Sequence, residues 1–292
     1  MTQMRVGEVL AGQPQRICVT GDWHGSVTAA EAALRWAKAH GADVVLQVGD
    51  YGFGMDHGTQ HDGSFARRVP AVAAELALPL LWLPGNHENW GALSQIRSDQ
   101  GLSDTDPWIL TDWWAQLPNG YRLPWGTSGW LVLAGATSVD RPWRHLGWSW
   151  WPEEVQLTPA VVRRLVAAHA EVPVGVVVAH DAFWTAPSGS RRRPTGVLAE
   201  RLHWRLPMAE RLRRVPVMCT EDTLREADRH ARQVRQVCDK VLAGGGVFIH
   251  GHMHLRYTDL HNGWTVEGLA DHRSTPDDGL CILVDSDGHR IA

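Results

Sequence analysis

Five short apolar runs in this 292-residue chain break off into Asp, Asn or His, mostly with glycine at the break. They are "RICVTGDWHG", "DVVLQVGD", "LPLLWLPGNHE", "VGVVVAHD" and "VFIHGHMH". Runs of this length and β-branched content read as buried strands. Helical patterns separate them: "TAAEAALRWAKAH", "FARRVPAVAAELA", "LTPAVVRRLVAAHA" and a long amphipathic stretch in which Leu224, Ala227, Ala231, Val234, Val237 and Val241 recur. Such alternation predicts an α/β fold with right-handed crossovers, followed by antiparallel pairing late in "GWTVEGL" and "GLCILVD". In an open α/β sheet the carboxyl ends of the strands converge on one crevice. The polar residues at the five breaks are therefore expected to meet, although they are far apart in sequence.

Local signals set several boundaries. Thr28 and Glu31 read as a capping box, and Pro70 as a kink or a boundary. Thr158 reads as an N-cap with Pro159 at the first helical position, and "GGG" as the end of the last helix. Net charge is −4, so nothing global advertises a nucleic acid or an anionic membrane. "MTQMRVGEVLAGQPQR" lacks the apolar core of a signal peptide, and no apolar run is long enough to span a bilayer, so a cytoplasmic protein is expected. Cys18, Cys219, Cys238 and Cys281 form no C-x-x-C pair and read as reduced thiols.

Tryptophan and histidine, 16 of each, are both abundant. Nine tryptophans fall between Trp108 and Trp151, which marks an insert at about 105–155. From Arg191 to Arg214 eight Arg face only Glu200 and Glu210, within an excursion at about 185–218. A solvated loop and a phosphate-facing flap both fit it.

The breaks carry the chemistry. In D-x-H, Asp22 and His24 point the same way because strand periodicity is two, so they can grip one cation. Asp50, Asn86, His87, His180, His252 and His254 extend the set. Carboxylate, imidazole and amide donors together suit Mn, Fe, Zn, Ni or Co better than Ca or Mg. Two such ions roughly 3.5–4 Å apart need a bridging carboxylate, and a lone Asp from a central strand serves. Alone, each is an ordinary turn residue; together they are costly to bury without something that pairs them.

The ordered blocks D-x-H, G-D, G-N-H-E, H-D and G-H-x-H, from Asp22 to His254, resemble the calcineurin-like metallophosphoesterase superfamily. The resemblance implies a two-sheet α/β sandwich flanked by helices, formed here by one domain over 15–292. It implies two divalent transition-metal ions, manganese foremost: Asp22, His24 and His254 on the first, Asn86, His180 and His252 on the second, and Asp50 between them. Hydroxide held by the ions would attack phosphorus in line, and His87 would protonate the leaving alkoxide. His250 is either a packed histidine or a hydrogen-bond partner of a ligand. His57 and His61 either reach the site or face solvent.

The chain departs from the phosphoprotein phosphatase branch. "YGFGMD" and Pro84 stand where that branch has the arginines that clamp a phosphomonoester dianion. "GATSVDRPWRHLGWSWWPEE" resembles a segment of small bacterial and phage members instead. Its Asp140, Arg141 and Arg144 either bring a guanidinium to the substrate or pin the loop as a structural pair. The expected function is hydrolysis of a phosphoester, with a phosphodiester at a nucleotide or nucleic-acid end favoured. Broad phosphomonoester hydrolysis is the second reading. A scaffold without chemistry is the third, and the presence of both Asp50 and His87 argues against it.

Overall fold

The computed structural model describes residues 4–54, 64–183 and 220–291. Two six-stranded sheets face each other. In the first, β1 (Ile17–Thr20), β2 (Val44–Gln47), β3 (Leu80–Trp82) and β5 (Trp114–Gln116) run parallel. Antiparallel β12 (Cys281–Val284) and β4 (Trp108–Thr111) form its edges. In the second, β7 (Trp130–Leu133), β8 (Val174–Ala179), β9 (Leu242–His250) and β11 (Trp264–Gly268) run parallel between antiparallel β6 (Arg122–Leu123) and β10 (Tyr257–His261). The expected two-sheet α/β sandwich, flanked by helices and forming a single domain, is the fold observed.

Strand alternation sorts the core into layers. Ile17, Val19, Leu46, Val48, Leu81, Val132, Val178 and Ile249 fill the space between the sheets. Cys18, Val45 and Leu80 face outward onto α2 (Val27–Ala39), α3 (Ser64–Glu75) and α4 (Trp90–Asp99). Leu131, Val177 and Phe248 do the same for α5 (Pro159–Ala168) and α6 (Glu221–Val241). A short helix, α1 (Val6–Ala11), adds Val6, Val9 and Leu10 to the inter-sheet layer.

Some boundaries differ from expectation. Helix α2 is capped by Ser26, whose hydroxyl accepts from the Ala29 N–H, so the Thr28–Glu31 box is displaced by a cap two residues earlier. Pro70 lies inside α3. The "GGG" stretch lies inside β9, because α6 already ends at Val241 and the strand begins at Leu242. Thr158 and Pro159 open α5 as expected.

The span expected as an insert, about 105–155, divides in two. Its first part supplies β4 to β7; β5 and β7, each opening on a tryptophan in an apolar run, are buried throughout, whereas β4 is an edge strand exposed beyond Trp108. Only the stretch after Ala134 leaves the sheets, through short 3₁₀ turns at Arg141–Trp143 and Pro152–Glu154. The Arg-rich excursion, His57, His61 and Cys219 lie outside the described residues. Cys18, Cys238 and Cys281 are buried free thiols. Among the described residues no helix is long and apolar enough to cross a membrane.

Candidate metal centre

Each of the five breaks delivers its side chain to one crevice at the carboxyl ends of the parallel strands. Trp23 and His24 donate their backbone N–H groups to the Asp50 carbonyl, at 3.1 and 2.7 Å, which latches the turn after β1 to the turn after β2. Aromatic packing fixes the second turn from below. Tyr51 is buried, stacks on Trp82 with ring centroids 4.6 Å apart, and accepts from Trp114 Nε1 at 2.9 Å.

Backbone strain concentrates here. His24, Asp50, His252 and His254 have φ of 46, 51, 60 and 52°, four of the six non-glycine residues with positive φ among those described. Such conformations cost of order 1 kcal/mol or more each and persist where surrounding structure enforces them. Gly85 shows how close the approach is: a Cβ there would collide with the Asp50 carboxylate and the His180 ring.

Two groups of potential ligand atoms result, each within 4.8 Å of one another: Asp22, His24, Asp50 and His254, and Asp50, His180 and His252. In the first, His24 Nε2 and His254 Nε2 are 3.0 Å apart, and His254 Nε2 is 3.1 Å from Asp22 Oδ2. In the second, His180 Nε2 is 3.3 Å from Asp50 Oδ1 and 2.9 Å from Asn86 Oδ1. Asp50 belongs to both, with Oδ1 toward His180 and Oδ2 3.7 Å from His24 Nε2. That Oδ2 is buried with no hydrogen-bond partner among the described residues. A buried carboxylate oxygen among imidazole nitrogens is what a shared cation would satisfy, so these residues fit two ions bridged by Asp50.

Supporting contacts aim the donors. His180 Nδ1 lies 2.9 Å from the Val48 carbonyl, which leaves Nε2 for the site. Asn86 Nδ2 donates to Ser138 Oγ at 3.0 Å, and Ser138 donates its N–H and hydroxyl to Glu154 at 2.6 and 2.7 Å. That chain turns the Asn86 oxygen inward. His254 Nδ1 is 3.1 Å from Asp271 Oδ2, and Asp181 is 2.7 Å from His230 Nδ1 on α6.

Electrostatics follow from burial and charge. Burial alone would raise Asp50, yet His180, His87 and His24 hold it well below the usual carboxylate value. Burial opposes a charge on His180, but Asp50 and Asp22 push its pKa up to about 10. Burial also works against a charge on His254, and Asp22 and Asp271 raise it to about 10. Burial and the neighbouring His180 lower His252 to about 4, keeping that imidazole neutral. Burial, reinforced by the Asp50 charge, raises Glu88 to about 8, although it accepts the Gly52 and Gly85 N–H groups.

The crevice thus brings together Asp22, His24, Asp50, Asn86, His180, His252 and His254. His87 stands at its edge: its Nε2 is 3.9 Å from Asp50 Oδ2, and its ring meets His24 edge-on. Arg144 lies against His87, with NH2 2.6 Å from Nε2 and 2.9 Å from Nδ1, and its Nε pairs with Asp140 at 2.8 Å. Arg141 points elsewhere, to Glu226 on α6 and over the Trp150 ring. The ring nitrogens of His250 meet Tyr257 Oη and the Gly251 carbonyl, which makes it a packed histidine beside the site. Glu88 and Asp181 were not singled out from sequence, although each directly follows a site histidine in "GNHE" and "VAHD". Glu154 and Asp271 carry no local sequence signal at all.

The calcineurin-like phosphoesterase family profile matches residues 15–206, more than half of the chain. The chain belongs to that family of dinuclear metal-dependent phosphoester hydrolases. A dimetal phosphatase from Danio rerio shares the fold at 13 % identity and a TM-score of 0.51, over 95 % of this chain and 98 % of that one. The protein TT1561 of Thermus thermophilus aligns at 10 % identity and a TM-score of 0.49, over 89 % and 91 %. Comparison with curated protein sequences found no match.

Proposed function

We propose that this chain hydrolyses phosphodiesters at a nucleotide or nucleic-acid end, with Asp22, His24 and His254 on one divalent ion, Asn86, His180 and His252 on the other, and Asp50 shared. The observation that carries the reading is the position of Asp50, one oxygen turned to each ligand group. Two transition-metal ions held there, with manganese the first candidate, would activate water and neutralise phosphoryl charge. The protein's own residues do the rest. Arg144 only donates, so beside His87 it keeps a ring nitrogen as an acceptor. When a phosphoryl oxygen takes the guanidinium, that nitrogen is freed to take up a proton from solvent, and His87 would then pass it to the departing alkoxide. Asp140 keeps Arg144 extended toward the crevice.

Arg144 is one guanidinium at the His87 edge, which suits the single charge of a diester. Monoester hydrolysis is the second reading, favoured by Arg273, whose NH2 lies 3.2 Å from His254 Nδ1 at the opposite edge. Turnover of matched mono- and diesters by protein loaded with Mn, Zn, Ni, Co or Fe tests the choice. Faster diester turnover is expected, and a monoester preference with every metal would overturn the diester assignment.

A further inference from the structure

Beyond His87 the stretch after Ala134 borders an open cleft of about 450 Å³, lined by His87, Asp140, Trp143, Arg144, Trp148 and Ser149 together with His145. Trp143 and Trp148 are 67 % and 57 % exposed. Large exposed aromatic surface beside a catalytic crevice commonly marks binding. The turn that carries these rings is braced. Arg141 pairs with Glu226 and lies 5.1 Å from the Trp150 ring centre; Arg144 pairs with Asp140; the His145 N–H donates to Ser149 Oγ at 2.9 Å. Stacking on side chains carried by a braced turn loses less ordering entropy than stacking on a loose loop.

We infer that this cleft receives the leaving group of the substrate, and that the leaving group is a nucleoside whose base stacks on Trp143 or Trp148. The inference rests on the hydrolase reading and on His87 as proton donor. A general acid must reach the oxygen it protonates, so the alcohol side of the breaking bond faces His87 and the phosphoryl side faces Asp50. The volume beyond His87 is then the volume of the departing alcohol. An aryl ester would place its ring directly on the ester oxygen and would need no acid. A nucleoside presents an alkoxide to His87 and carries its base further out, where the indoles stand. In the step, water adds to phosphorus and loses a proton to solvent, from which His87 is later reprotonated, and the P–O bond to the nucleoside breaks. Its electron pair stays on the nucleoside oxygen, which takes the proton from His87. The products are a nucleoside with a free hydroxyl and a phosphate that keeps any second ester group.

The methyl diester of adenosine 5′-phosphate tests the orientation, because its two alcohols are of similar basicity. Metal-loaded protein should yield mainly adenosine and methyl phosphate; mainly adenosine 5′-phosphate and methanol would overturn the inference. In the double variant Trp143→Ala, Trp148→Ala the adenosine share should fall about tenfold relative to the other product. An unchanged ratio would also overturn it. Saturation-transfer NMR reads the subsite without turnover: adenosine should bind, ribose should not, and the double variant should lose the adenosine signal. No adenosine binding to the parent protein refutes the subsite. Adenosine binding with neither ester bond cleaved refutes the hydrolase reading and leaves the nucleoside site standing. A short single-stranded oligonucleotide run in parallel separates a free nucleotide ester from a nucleic-acid end.

Discussion

The tryptophans between 108 and 151 live in two environments. Trp108, Trp114 and Trp130 are buried in the sheets and Trp125 in the connection from β6 to β7, and Trp114 with Trp82 clamps Tyr51 beneath the Asp50 turn. Trp143 and Trp148 stand exposed on the turn beside His87. The same side chain stiffens the floor of the site in one case and offers surface at its rim in the other. The floor needs rigidity because strained residues such as Asp50 hold their conformation only when their surroundings enforce it. The rim needs accessible surface, and it keeps its shape through ion pairs rather than burial.

Substitutions should separate floor from rim. The largest effect on rate is expected at the boundary between them. His87→Ala should keep its metals and lower kcat on an alkoxide-leaving ester by roughly two to four orders of magnitude. The loss should shrink on a nitrophenyl diester, whose leaving group departs without a proton; equal losses on both would remove His87 from the acid role. His180→Ala, on the floor, should lose affinity for one ion and slow both esters alike.

Next comes stability. Trp114→Ala removes a buried indole and leaves a cavity under Tyr51, so a loss of ~3–5 kcal/mol is expected in denaturant unfolding. Trp143→Ala, at a residue 67 % exposed, should cost clearly less than Trp114→Ala. Similar values for the two would erase the distinction between floor and rim. Arg144→Ala should raise KM about tenfold or more through the loss of a charged hydrogen bond to phosphate.

The smallest effect concerns Glu154, which burial raises from the usual 4.5 to about 7 against the pull of its Ser138 hydrogen bonds. The folded state therefore holds this proton more tightly than the unfolded chain. The resulting stability is complete below about pH 4.5 and is lost as pH rises toward 7. Glu154→Gln mimics the neutral acid, so its melting temperature should fall less across that interval. Parallel curves would place the parent's pH dependence elsewhere.

Much of the floor was legible in the sequence because its parts are local. A strand run, a glycine break and a polar residue two positions on are all read within ten residues, and strand ends converge by topology. The residues that aim the donors were not legible. Glu154 reaches Asn86 only through Ser138, and Asp271 reaches His254 across a tertiary contact, so no spacing announces them. The tryptophan cluster misled for a related reason. Abundance marked a region, but only the strand pairing of β4 to β7 shows that much of that region is sheet. The same limit applies to Asp140, Arg141 and Arg144, whose spacing allowed a joint role. In the fold Arg144 meets His87, whereas Arg141 turns away to α6.

The central claim is that one carboxylate serves two cations. Elemental analysis of the parent protein and of Asp50→Asn, both purified without chelator under metal-replete conditions, tests it directly. The parent should carry close to two transition-metal ions per chain, and the variant, though folded, should be depleted at both positions. One ion or none in the well-folded parent, or two ions retained by Asp50→Asn, would contradict the shared-carboxylate centre.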